Sequence, residues 1–356
     1  MKSSSVILPT YNKARYLDIA LASYERQTHR NFELIIVDDG STDDTPDVIA
    51  RYTRRLPIKH RRTENRGRSA ARNAAIAMAE GDLLVFSDDD RVVEPGFIEA
   101  HVASFAERDD WLVMGWQHGI ITLWRPDLPL DPMLLWRFVS RGTVAAAQRD
   151  GEPVQVVRPE DVRDHLAETV EKFGLEERWW IEGCLPVLQR YGHKLDGFAV
   201  PWILGTTGNM SCARRAVVDC GSFDEAYRGW GLEDLDICYR LHHAGLKSIA
   251  VEAALSHHQA HLSGAKKRHS WLANLLHFLH KYDALDAVLY AYYFTRAHVV
   301  NMHEFNQLYL ALLDEDPPPA LRSALLRGYR EIATARVRSL EASSGGALLG
   351  VVQDEW

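Results

Sequence analysis

Short, nearly unbroken apolar runs recur through the first third of the chain, at residues 4–8, 34–37, 83–86 and 111–117. Runs of this length fit strands covered on both faces of a parallel sheet. Between them the apolar positions change to helical spacing. Ala14, Leu17, Leu21 and Tyr24 mark a helix over 13–27, and a second runs through Val48 to about Tyr52, capped by Thr42 or Asp43. Asn65, Gly67 and Ser69 lead into an alanine-rich helix over 70–79, which Gly81 stops as a C-cap. Residues 58–62 add a strand, Pro9 ends the first one, and Pro95 opens a helix reaching about Phe105. Alternation of this kind up to about residue 110 predicts an α/β fold with a mostly parallel, doubly wound sheet.

The pattern weakens over 119–204, which carries Pro126, Pro129, Pro132, an amphipathic stretch at 159–173 and the pair Trp179 and Trp180. It returns at 205–217 and 223–245, where Leu235, Cys238 and Leu241 predict a helix starting just after Gly231 and ended by Gly245. Residues 247–251 read as a strand, followed by the sequence LSHHQAH. From about Ser270 the pattern is helical, over 271–282, 284–312 and 320–340, with Pro317, Pro318 and Pro319 before the last stretch. SSGG at 343–346 marks a flexible break before a short tail.

Composition mainly excludes. With 46% apolar and 25% charged residues among 356, the chain is an ordinary globular one of one large domain or two. A formal charge of -8 argues against a general nucleic-acid or anionic-membrane binder. Cys184, Cys212, Cys220 and Cys238 form no CxxC pair, which suits reduced, mostly buried thiols and a cytoplasmic location. The N-terminus lacks an apolar core long enough for a signal peptide, and no run approaches 18 apolar residues, so no transmembrane segment is expected.

Chemistry gathers where strands end in acid. Residues 34–37 run into Asp38 and Asp39, and 83–86 run through Ser87 into Asp88, Asp89 and Asp90. In an open α/β sheet the carboxyl ends of the strands are where ligands bind, which places both groups at one crevice. Repulsion within the triplet is relieved by Mg²⁺ or Mn²⁺, although a bare triplet also reads as a solvated acidic turn. Glu233 and Asp234 stand in a first helical turn behind Gly229, Trp230 and Gly231. There they either complement the helix dipole, worth about 0.3 to 1 kcal/mol, or present a general base beside a flexible loop. His257, His258 and His261 are structural, or supplement the ligands of a metal. The run Lys266, Lys267, Arg268 is a solvated loop, or closes over a diphosphate and neutralises it.

Three phrases together resemble the family 2 glycosyltransferases of GT-A fold: SVILPTYNKARYLDIALASYERQTHRNFELIIVDDGSTDDT, NRGRSAARNAAIAMAEGDLLVFSDDDRVVEPGFI and GWGLEDLDICYRLHHAG. The match covers about residues 4–110 and 205–261. It implies a Rossmann-like GT-A domain with a nucleotide-sugar half at 1–110, an acceptor half at 111–262 with an insertion at 119–204, and a helical C-terminal region at 263–356. By the same resemblance Pro9, Thr10 and Tyr11 cradle the nucleotide base, Tyr11 stacking on it. Asp39 hydrogen-bonds the base, with Arg68 or Arg72 beside it. Asp88 addresses the ribose, Asp90 holds the metal, and Asp89 between them contributes least to the donor site. Asp234 is the base that deprotonates the acceptor hydroxyl, and His257 best matches the histidine that supplements the metal. Lys267 is expected at the leaving group, and Gly208, Asn209, Trp230 and Glu233 at the acceptor. Ser87 departs from the family's usual apolar residue.

The implied activity is a metal-dependent, inverting transfer of a hexose from a UDP-sugar, glucose being the expected sugar, to a small-molecule or glycan acceptor, forming a β-linkage. Trp136, Trp179, Trp180 and Trp202 are either part of the acceptor wall or core. The C-terminal helices are read as a homodimer surface or an acceptor lid. Two rivals are a nucleotidyltransferase, disfavoured because ILPTYNKARY lacks a glycine-rich phosphate loop, and a non-catalytic scaffold that retains nucleotide-sugar binding.

Overall fold

The structure, a computed structural model, describes residues 2–124, 136, 153–176, 179–261, 265–295, 301–315 and 317–342. The chain begins β1 (Ser4–Thr10), α1 (Ala14–Tyr24), β2 (Phe32–Asp38), α2 (Thr45–Tyr52), β3 (Ile58–Arg62), α3 (Arg68–Met78), β4 (Leu83–Ser87), β5 (Arg91–Val93) and α4 (Phe97–Ala103). It continues with β6 (Trp111–Ile120), β7 (Leu123–Trp124), β8 (Val154–Gln155), α5 (Pro159–Phe173), β9 (Gly174–Leu175) and α6 (Leu185–Tyr191). Next come β10 (Asn209–Ala213), α7 (Arg214–Asp219), α8 (Glu233–His243) and β11 (Lys247–Gln259). Four helices follow: α9 (Ala265–Lys281), α10 (Leu285–Phe294), α11 (Met302–Asp314) and α12 (Pro319–Ala342).

Among the described residues one mixed sheet has the order β3-β2-β1-β4-β10-β6-β11-β5, with β9 beside β6. The first four strands are mutually parallel; β10 is antiparallel to both its neighbours. Every residue of β1 and β4 is buried, as expected of strands whose apolar stretches, Val6–Leu8 and Leu83–Phe86, are covered on both faces. Alternation splits their side chains between two layers. Val6 and Leu8 meet α1, α2 and α4 on one face, while Ile7 and Phe86 meet α3 on the other. That second core extends through α8 to Phe278 of α9, Leu289 of α10, Phe305 of α11 and Val337 of α12. The C-terminal helices therefore share one core with the sheet. None of the described helices is long and apolar enough to cross a membrane.

Several expectations shift. Pro9 lies inside β1, because β4 pairs with β1 only as far as Ile7 and the missing N–H interrupts no ladder on that side. Gly81 is not the cap of α3, a place held by Ala79. It is a close-approach glycine instead: a Cβ there would lie 2.7 Å from the β1 backbone at Ser4 and Ser5. Pro95 stands just before α4, whose N-cap is Gly96. The strand expected at 247–251 runs on to Gln259, so His257 and His258 lie within it rather than after it. Trp180 and Trp202 are core residues, and Trp136 is 63% exposed. The Trp179 side chain and the 343–346 break lie outside the described residues.

Candidate active site

The carboxyl ends of β1, β2 and β4 open into a cavity of about 630 Å³. It is lined by Pro9, Thr10, Tyr11, Asp39, Arg68 and Arg72, by the Asp88–Asp90 turn, and by Trp230, Glu233 and Asp234. Residues far apart in sequence thus meet because parallel strands end together and α8 points its first turn at them.

Tyr11 is 46% exposed, an open ring face. The Asp39 carboxylate accepts the backbone N–H groups of Arg66 at 2.9 Å and Gly67 at 2.8 Å, which sets the entry to α3. Gly67 has φ +92°, a left-handed conformation that suits glycine. From α3, the buried Arg72 donates to Asp88 at 2.9 Å and to Glu233 at 3.2 Å. Arg68 pairs with the same Glu233 at 3.5 Å. The carboxylate of Glu233, expected at the acceptor, is thus engaged by two arginines and ties α8 to α3.

The acid triplet divides its labour. Asp90 is buried beside Lys13 at 3.0 Å and His261 at 3.1 Å, with His258 at 3.7 Å. Burial acts to raise its pKa, but Lys13 and His258 outweigh it and hold the carboxyl well below the usual range. Asp89 is pushed up to about 7 by burial, with Lys13 opposing and the Asp90 charge adding to the rise. Ligand atoms of Asp90, His258 and His261 all lie within 4.8 Å of one another, and Asp90 Oδ1 is buried with no hydrogen-bond partner. One carboxylate and two imidazoles with a spare oxygen fit a divalent transition ion such as Mn²⁺.

His257 is not part of this group. It is buried facing Glu94, Nε2 to carboxylate 2.9 Å, because neighbouring strand residues point to opposite faces. Asn209 is also redirected: its amide donates to Trp116 O, Ala254 O and Ser256 Oγ, each at 2.9 Å, inside the sheet. Gly208 sits next to the Arg91 guanidinium, and the cavity wall in the segment before β10 is formed by Gly205, Thr206 and Thr207. The Lys267 side chain lies outside the described residues.

In the same cavity, Asp234 is pushed up to about 7, first by burial and then by the charge of Glu233, against the pull of Arg72. Its loop is held from the C-terminal region. Asn274 of α9 accepts the Arg228 N–H at 3.2 Å and donates to the carbonyls of Arg228 at 3.0 Å and Gly231 at 2.8 Å. Gly229, Gly231 and Leu232 all have positive φ, so this loop is a shaped element that needs such ties.

Sequence reasoning missed Lys13 and Arg91 as site residues, and among the three candidate histidines it favoured His257 where the structure brings His258 and His261 to Asp90. A signal existed for Lys13: it precedes α1 directly, where the helix dipole disfavours a cation.

Comparisons with known proteins bear on the family and the fold. A family model described as glycosyl transferase family 2 matches residues 5–152, and one described as the N-terminal domain of galactosyltransferase matches 198–262. The uncharacterized glycosyltransferase YfnE of Bacillus subtilis (strain 168) is 30% identical over 296 residues, covering 80% of this chain and 72% of that protein. A validoxylamine A glucosyltransferase of Streptomyces hygroscopicus subsp. jinggangensis (strain 5008) is 30% identical over 300 residues, 79% of this chain and 61% of its own length. In fold, S. aureus TarS 1-349 in complex with UDP-GlcNAc superposes with TM-score 0.52 at 16% identity, over 96% of this chain and 91% of that one. The mannosyltransferase PcManGT from Pyrobaculum calidifontis, in complex with GDP-Man and Mn²⁺, gives 0.51 at 15% identity, over 97% and 88%.

Proposed function

The chain belongs to the family 2 glycosyltransferases and has their GT-A fold, and we propose that it is a metal-dependent, inverting enzyme that moves a hexose from a UDP-sugar to an acceptor hydroxyl. Glucose is the first sugar to try, in keeping with the name of the Streptomyces relative. The observation that carries the proposal is the meeting, in one cavity, of the Asp90, His258 and His261 cluster with the raised carboxyl of Asp234.

In this reading Tyr11 stacks on the base, and Asp39 shapes the loop that borders it. Asp88, oriented by Arg72, meets the ribose. Asp90, His258 and His261 would hold Mn²⁺ or Mg²⁺, which when bound offsets the charge of the leaving diphosphate. Asp234 accepts the acceptor's hydroxyl proton as that oxygen bonds to the anomeric carbon, and the bond to the diphosphate breaks with its electron pair leaving on UDP. A base opposite the leaving group gives a single displacement, so an α-linked donor yields a β-linked product. Family membership sets the nucleotidyltransferase alternative aside.

The test is slow hydrolysis of a panel of nucleotide sugars with Mn²⁺ or Mg²⁺. Metal-dependent release of UDP from a UDP-hexose is expected; a chain that neither binds nor hydrolyses any UDP-sugar would sink the donor assignment. The tie on the acceptor loop gives a separate prediction. Asn274→Ala removes four hydrogen bonds to residues 228–231, and should lower transfer kcat/KM about tenfold or more while UDP affinity stays within about twofold. Steady-state kinetics beside nucleotide titration separates the two effects.

A further inference from the structure

We propose that Arg91 is a donor-recognition residue that binds an anionic oxygen group of the sugar nucleotide, either the leaving diphosphate or a carboxylate on the transferred sugar. The inference rests on the nucleotide-sugar reading of the cavity and adds a chemical class to it.

Arg91 opens β5 directly after the acid turn, lines the cavity and is 7% exposed. The neighbouring cations of the cavity each have a carboxylate: Lys13 has Asp90 at 3.0 Å, Arg72 has Asp88 at 2.9 Å, and Arg68 has Glu233 at 3.5 Å. Arg91 forms no such pair among the described residues, and its Nε and Nη1 are buried with no hydrogen-bond partner. Nearby Asp88 feels its charge through space but is already engaged by Arg72. A guanidinium taken out of water without acceptors is unfavourable, and a fold retains one where something else brings the acceptors.

Two features hold it in place. A Cβ on Gly208 would lie 2.6 Å from Arg91 Nη2 and 2.9 Å from Nε, so a side chain there would force the guanidinium to shift. Arg91 also pairs with His258 across the antiparallel β5–β11 ladder. Directly opposed residues project to the same face, so Arg91 stands on the side of the Asp90 and His258 cluster. An anion held at that cluster, or carried one sugar ring further on, is within the length of an arginine. The planar fork of a guanidinium matches the paired oxygens of a phosphate or a carboxylate, whereas a neutral sugar hydroxyl would leave its charge uncompensated.

The experiment titrates the full chain and Arg91→Gln, with Mn²⁺, against uridine, UDP, UDP-glucose and UDP-glucuronate, with circular dichroism confirming the fold. An affinity loss of about tenfold or more for UDP and both sugars, with uridine unchanged, identifies the diphosphate. A loss confined to UDP-glucuronate identifies a sugar carboxylate. Four affinities within about twofold of wild type, or an equal loss for uridine, overturn the proposal. Should Arg91→Gln not fold, Gly208→Ala is read in the same way, because its methyl displaces the guanidinium. If UDP and its sugars fail to bind the unaltered chain, the donor reading falls and this one with it. Binding that survives in the variant sinks only the role of Arg91.

Discussion

Asp234→Asn should lower kcat for transfer by about 10² to 10⁴ and leave donor affinity within a few-fold of wild type. The amide keeps the shape of the side chain and its position at the first turn of α8, but it cannot take the acceptor's proton. Donor-side contacts survive because Arg72 and Arg68 hold Glu233, not Asp234. Loss of UDP binding in this variant would assign Asp234 to structure and remove it as the base. The same carboxyl should set the pH profile. Burial and the Glu233 charge push it up to about 7, so the basic form is lost as pH falls through that value. Log kcat/KM should therefore decline below pH 7 with a slope near one. Arg72, Arg68, Asp88 and Cys238 also face Asp234 electrostatically. Glu233→Gln removes the nearest negative charge and frees two arginines, both of which favour the carboxylate, so the acid limb should move to lower pH. A limb unmoved in this variant would mean that another group titrates.

Asp90→Asn should have the second largest effect, a fall in kcat/KM of about 10³ together with loss of metal-dependent nucleotide binding. Among the described residues Asp90 is the one acid in the cluster with His258 and His261, and its carboxyl is held ionised by Lys13 and His258 despite burial. The neutral amide leaves two imidazoles and a lysine ammonium with no negative charge to favour a cation. Asparagine preserves the volume, so the turn at 88–90 should fold. Calorimetric titration of UDP with and without Mn²⁺ reads the effect directly. Unchanged Mn²⁺-dependent binding in the folded variant would dismiss the cluster as a metal site. Because His257 faces Glu94, His257→Ala should leave the metal dependence intact, whereas His258→Ala together with His261→Ala should reduce it.

Much of the fold was readable in advance because its signals are local. Burial on both faces forces the unbroken apolar runs of β1, β2 and β4, and β3 falls at Ile58–Arg62 as its pattern predicts. The amphipathic stretch at 159–173 became α5, and Gly245, with φ +100°, ends α8. Proline and glycine misled where their reason was tertiary. Pro9 is tolerated because β4 stops pairing beside it, and Gly81 is needed because β1 passes against it.

The sequence by itself determined that acids stand at strand ends, that Glu233 and Asp234 begin a helix behind a glycine-rich loop, and that histidines follow downstream. Residue types at short spacing are enough for this. Tertiary structure alone decided which groups face one another. The β11 register shifts between Val251 and Leu255, and strand side chains change face with every residue, so no count along LSHHQAH could tell that His258 and His261 would meet Asp90 while His257 would not. Glu233 and Asp234 likewise parted company only when α3 brought Arg68 and Arg72 to one of them. Arg91 became a buried cation with no ion-pair partner among the described residues once the segment before β10 laid Gly208 against it. Charge and hydrogen-bond partnership depend on distances between residues remote in the chain, and packing sets those distances.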